Sequence, residues 1–87
     1  DERARELLID FHGNRAILLG RLKRFDEAAA DWLVGADLQN GVERSRFLVQ
    51  RAVCLMQGGD PASAARLAKV AIDAASDAQA AVSQLRP

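Results

Sequence analysis

Tyrosine is absent from these 87 residues, and cysteine, histidine, methionine and tryptophan occur once each. The single cysteine, Cys54, excludes an internal disulfide and any multi-cysteine metal site, and it reads as a small buried apolar residue in a reducing compartment. The single histidine, His12, reads as a packing or solvent-facing group rather than a catalytic base. An excess of one charge is also missing: 12 Lys and Arg stand against 12 Asp and Glu, so no global field draws nucleic acid or an anionic membrane. No apolar run approaches the roughly 20 residues of a membrane span, and no charged-then-apolar leader opens the chain. The expectation is a soluble protein, cytoplasmic by default. Because the chain begins at Asp1 without Met, it is expected to be a segment of something longer. Aromatics make up only 5%, which leaves Ala and Leu to do most of the packing.

What is present is a repeat. Phe11, Arg15, Ala16, Leu19, Ala28, Ala29, Val34 and Asp37 match Phe47, Arg51, Ala52, Leu55, Ala64, Ala65, Val70 and Asp73, each 36 positions later. Asn14 likewise meets Gln50, and Ile17 meets Val53. A period in the twenties to forties marks stacked supersecondary units, none able to bury its apolar face alone.

No proline interrupts Asp1 to Leu22, where Leu8, Phe11, Arg15, Leu18, Leu19 and Leu22 recur at spacings of three and four. This predicts one long helix from about Glu2, with that stripe as its core face. A bend or break near Gly13, which would split off a short leading helix, is the alternative. Lys23 to Phe25 form a turn. Asp26 is expected to cap a second helix reaching about Leu38, with Glu27 at the positive end of its dipole and Ala28, Ala29, Trp32, Leu33 and Ala36 inward. Trp32, the largest apolar group, is expected to fill the space between helices.

Asn40 with Glu43 has the form of a capping box, which predicts a third helix to about Gln57 that buries Phe47, Leu48, the stem of Arg51, Ala52 and Leu55. Gly58 suits a left-handed position at its end. Asp60-Pro61 opens a fourth helix, carrying Ala64, Ala65, Leu67, Ala68, Ala71 and Ile72 to about Ala75. Ser76 with Gln79 repeats the capping pattern, predicting a short fifth helix from Asp77 to about Leu85, a solvating cap on the stack. Alanine at 16 against 28, and at 52 against 64, would let the paired helices approach closely.

These residues resemble the tetratricopeptide repeat. The first unit offers His12-x-x-Arg15-Ala16-x-x-Leu19 followed by Ala28-x-x-x-Trp32; the second offers Leu48-x-x-Arg51-Ala52-x-x-Leu55 followed by Ala64-x-x-x-Ala68. The RFDEA stretch at Arg24 to Ala28 and GGDPASA at Gly58 to Ala64 look like the family's turn and second-helix start. There are departures. The family repeat is about 34 residues, its usual proline is replaced by Asn40 and Ser76, Arg15 and Arg51 stand where leucine is commoner, and Ala68 stands where an aromatic is expected. The resemblance implies a single all-α domain: a right-handed superhelical stack of antiparallel helix hairpins, about five helices in all. Repeat one would span about 9–42, repeat two about 45–75 and a capping helix about 77–85.

The resemblance also implies a binding groove lined by the first helices of successive repeats. The stripe off the core pattern of the first helix is Asp10, Asn14, Ile17 and Arg21, and its counterpart on the third is Arg46, Gln50, Val53 and Gln57. Both follow i, i+4, i+7, i+11, so each lies along one helical face. Asn14 and Gln50 could bond a peptide main chain, Ile17 and Val53 could give apolar contact, and Arg21 and Arg46 could pair with a carboxylate. The family's clamp for a terminal carboxylate is matched only at Asn14, since Gly13 and Ile17 stand where polar groups would be needed.

Enzyme readings find no support. Asp1-Glu2 and Asp26-Glu27 are helix-start acids, no glycine-rich phosphate loop follows a strand, and no nucleophile, base and orienting group assemble. Neither a cofactor nor a metal is expected. A nucleic-acid groove would want basic residues and stacking aromatics, whereas this one holds Asp10 and no ring. The expected function is a protein-protein interaction scaffold for a peptide or partner helix. The alternatives are a self-association module, with Ala78, Ala81, Val82 and Leu85 as its apolar face, or a regulatory appendage of an enzyme domain elsewhere.

Overall fold

The structure, a computed structural model, describes residues 1–59 and 61–84. The described residues form four helices: α1 (Glu2–Arg21), α2 (Phe25–Asp37), α3 (Gly41–Gln57) and α4 (Pro61–Gln84). Each packs against the next in sequence. The all-α class agrees with the sequence, whereas the count is four helices rather than five.

The Asp1 carboxylate accepts from the Ala4 amide at 2.8 Å and starts α1, with Glu2 in the first turn and Arg21 in the last. Both charges complement the helix dipole. The helix runs unbroken through Gly13 and Gly20. Its end is a Schellman motif: Lys23 N–H donates to Gly20 O at 3.0 Å, and Arg24 N–H to Leu19 O at 2.9 Å. The motif needs a left-handed residue, and Lys23 supplies it at φ 62°.

That ending explains why Asp26 is not the cap of α2. Arg24 is at once the last residue of the Schellman motif and the N-cap of α2, with no side-chain cap bond, so Asp26 and Glu27 fall inside the first turn. The C-terminus of α2 carries no basic residue of its own, and its carbonyls are reached from elsewhere. Arg5 of α1 donates to Leu38 O at 3.0 Å, Arg44 of α3 to Ala36 O at 3.1 Å, and the Gln39 amide to Gly35 O at 3.0 Å. Two cations thus meet the negative end of α2 from its neighbours.

Asn40 precedes α3, but the expected capping box does not form: no side-chain cap bond is made. Gly41 takes φ 63°, and Glu43 lies 3.8 Å from Arg46. At the far end Gly58 keeps right-handed backbone and Gly59 takes φ 94°, one residue later than expected.

The 24-residue α4 passes straight through Ser76, so the predicted fifth helix from Asp77 is the continuation of the fourth. Between Val70 and Val82 the chain has neither glycine nor proline and is rich in alanine; with the best helix former on both sides, propagation outweighs a cap. Asp60 and Leu85 lie outside the described residues, as do the side chains of Ala64, Ala71, Ala78, Ala81 and Val82.

The core is built from small residues around one ring pair. Ala16, Ala28, Ala29, Trp32 and Cys54 form the buried cluster, with Leu19, Phe47 and Leu55 packed against it. Trp32 and Phe47 meet edge to face with centroids 5.0 Å apart, the arrangement aromatic pairs favour. Phe47 enters from α3 between two glycines. A β-carbon on Gly13 of α1 would sit 3.4 Å from its ring, and one on Gly35 of α2 only 2.5 Å. Gly13 is therefore a hole that receives a side chain, not a helix break.

The inward face of α1 differs from the one predicted. Gly13 and Ala16 are buried, whereas Leu8, Phe11, Leu18 and Leu22 are exposed. Small residues take the inward side of α1, with Leu19 of the predicted stripe packed against the core, and the rest of its large apolar residues are left outside. On α4, Leu67 and Ala68 are half-buried, while Ala65 and Ile72, also expected inward, are exposed.

Candidate binding surface

All eight predicted groove residues are on the surface. Asp10, Asn14, Ile17 and Arg21 are exposed on α1, and Arg46, Gln50, Val53 and Gln57 are exposed on α3. Two of them share a concave feature: Arg46 and Gln50 line a hollow of about 380 Å³ together with Trp32, Ser45, Phe47 and Val49. None of the four α1 residues lines that hollow. The local folding explains its form. The Ser45 hydroxyl donates to Gly41 O at 3.2 Å and is satisfied within its own helix, which leaves apolar ring and aliphatic surface beneath two polar rim groups. Such a hollow can take an apolar side chain while Gln50 donates to or accepts from a main chain and Arg46 meets a carboxylate.

A second polar feature lies between α1 and α2. Asp31 of α2 is 3% exposed and is held from α1. Arg15 donates from Nε to Asp31 Oδ2 and from Nη2 to Asp31 Oδ1, both at 2.7 Å, and His12 Nδ1 lies 2.9 Å from Oδ1. An ionised carboxylate only accepts, so Nδ1 carries the proton in this contact. The Arg15 fork is bidentate, the strongest form of such a pair. Its hydrogen bonds hold the Asp31 carboxyl below the ordinary carboxylate range, against the opposing effect of burial, and the same bonds raise Arg15. The Arg15 guanidinium also lies 4.9 Å from the Phe11 ring centroid, a cation-π contact.

With both carboxylate oxygens engaged, the cluster is a clamp between α1 and α2 rather than an acid-base site. Beside it, Arg15, Leu19, Arg24, Glu27, Ala30 and Asp31 line a hollow of about 460 Å³. A signal for Asp31 was present in the sequence: it is the acid between Ala28 and Gly35 on the inward side of α2. One period later Leu67 takes its place, so Arg51 has no matching carboxylate there.

Cys54 is buried and unbridged, and burial pushes its thiol above the usual range, against a hydrogen bond from Trp32. That is an inert thiol. Among the described residues no group of three or more His, Cys, Asp or Glu could hold a metal, and no helix is long and apolar enough to cross a membrane. Comparison with known protein families, with curated proteins and with solved structures returns no match for this chain.

Proposed function

We propose that this chain is a non-enzymatic protein-protein interaction module of the tetratricopeptide kind, working without a cofactor. Its helical hairpins stack into a right-handed superhelix, and an extended peptide or partner helix is taken on the surface shared by α1 and α3. The observation that carries the reading is the hollow over Trp32 and Phe47, rimmed by Arg46 and Gln50. An apolar side chain would enter it, and Gln50 would hold the adjoining main chain. The exposure of Asn14 at the matching position of α1 supports a second main-chain contact one repeat away.

The test is peptide selection from a random library displayed on phage, followed by titration of the selected sequence. Asn14→Ala combined with Gln50→Ala should weaken binding by tenfold or more, which is the loss of about two hydrogen bonds. Equal affinity for the double variant would remove this surface as the site.

A further inference from the structure

The outward face of α1 carries an apolar stripe crossed at Arg15 by the pair with Asp31. Ala4, Leu8, Phe11, Arg15, Leu18 and Leu22 alternate at spacings of four and three, a heptad seam along the whole helix. In the structure the large apolar members of this seam stand in solvent, while Arg15 reaches across to Asp31 of α2. Leu8 is 46% exposed, Phe11 50%, Leu18 56% and Leu22 59%, and Leu7 beside them is 63% exposed. The seam lies about a third of a turn around the helix from Asp10, Asn14, Ile17 and Arg21, so it is separate from the proposed peptide surface.

We infer that this seam is the interface of an antiparallel dimer, and that the occupant is a second copy of the same helix. The spacing is symmetric about Gly13. A two-fold axis at that level sets Ala4 against Leu22 of the other copy, Leu8 against Leu18, and Phe11 against Arg15, so that apolar positions meet along the seam and the one cation meets a ring. The same surface patch on both copies is what a two-fold interface requires.

Arg15 would be a costly residue in an apolar seam if its charge were free. Here Asp31 neutralises it with two bonds at 2.7 Å, and its guanidinium already lies over the Phe11 ring. The pair therefore enters the interface as a compensated unit, offering a face for the other copy's Phe11.

The area is adequate. The five large side chains expose on the order of 500 Å² per copy, at the upper end of the apolar patches found on monomers. Two copies with their polar flanks reach roughly the 1,200 Å² at which specific interfaces begin. A left-handed pairing of heptad seams is the geometry such a stripe favours.

The test is the solution mass of the chain by light scattering across a hundredfold concentration range. A rise from one chain to two is expected; the mass of one chain throughout gives the seam to a different partner and overturns self-pairing. Leu18→Glu, which sets a carboxylate in the seam of each copy, should hold the mass at one chain with the helical circular dichroism unchanged. A dimer that persists in that variant overturns the placement on α1.

Orientation is read independently by a spin label on Arg3→Cys in a Cys54→Ala background, which also serves if Leu18→Glu does not fold. Pairing about Gly13 separates the two labelled backbones by about 30 Å, whereas a separation under about 15 Å overturns the antiparallel arrangement. Asn14→Ala with Gln50→Ala should leave the mass unchanged, so failure of the peptide surface and failure of the dimer can be told apart.

Discussion

Glycine at position 35 and glycine at position 20 are chemically identical and should respond oppositely to the same change. A β-carbon at Gly35 would lie 2.5 Å from Cε2 and 2.6 Å from Cδ2 of Phe47, two atoms of a ring held among its neighbours. Gly35→Ala should therefore destabilise the fold by about 1–3 kcal/mol through overpacking. At Gly20 nothing lies within 4 Å, so Gly20→Ala should stabilise α1 by about 0.5–1 kcal/mol. Urea unfolding of the two variants beside the parent chain checks both signs. Asp31 makes the matching case for charge. Its pairing with Arg15 lowers its carboxyl in the folded chain below the unfolded value of about 3.9. A depressed acid contributes stability that is complete above the unfolded value and is lost as pH falls through the folded one. Thermal unfolding recorded between about pH 5 and pH 2 should show a drop in midpoint that is shallower in Asp31→Asn, because the amide does not titrate.

At the scale of single helices, two endings separate local preference from the structure. α4 runs through Ser76, so the serine is an interior helical residue, where alanine is the better former. Ser76→Ala should raise stability by a few tenths of a kcal/mol, whereas loss of a true N-cap would cost about 1 kcal/mol. The sign of the change in denaturant midpoint decides between one helix and two. α1 ends on Lys23 in left-handed backbone, a conformation that costs a residue with a β-carbon about 1 kcal/mol or more. Lys23→Gly should relieve this and stabilise by about 0.5–1 kcal/mol net of the added freedom of the unfolded chain, readable as a higher melting temperature. The same motif shows why the cap of α2 is not the residue that side-chain type alone selects. Asp26 is the better capping residue by type, but the Schellman bonds hand the role to Arg24 two positions earlier.

For the whole molecule, Phe47 is the tie. It belongs to α3, reaches Gly13 of α1 and Gly35 of α2, and stacks edge-on against Trp32. Phe47→Ala should cost about 3 kcal/mol, at the lower end for a phenylalanine because the ring is only half-buried. The loss should fall on the association of α3 with the α1–α2 hairpin, so near-ultraviolet ellipticity of Trp32 should melt with the helical signal at lower denaturant.

The sequence by itself determined where three of the four helices lie to within a residue or two, because the polar and glycine-containing stretches at 23–24, 39–41 and 58–59 interrupt the helical periodicity locally. It also singled out Ala16, Ala28 and Ala52, all buried, and the two stripes whose eight residues are exposed. Only the tertiary structure decided which side of α1 faces inward. A leucine stripe and a stripe of glycine and alanine are both consistent with the same helix, and the choice depends on the shape of what packs against it: Phe47 needs the room at Gly13, and α2 needs the flat face at Ala16. The burial of Asp31 followed from that choice, since rotating α1 this way brings Arg15 and His12 over α2. Periodicity records that a helix has an apolar side, while complementarity between elements far apart in the chain decides which side is covered.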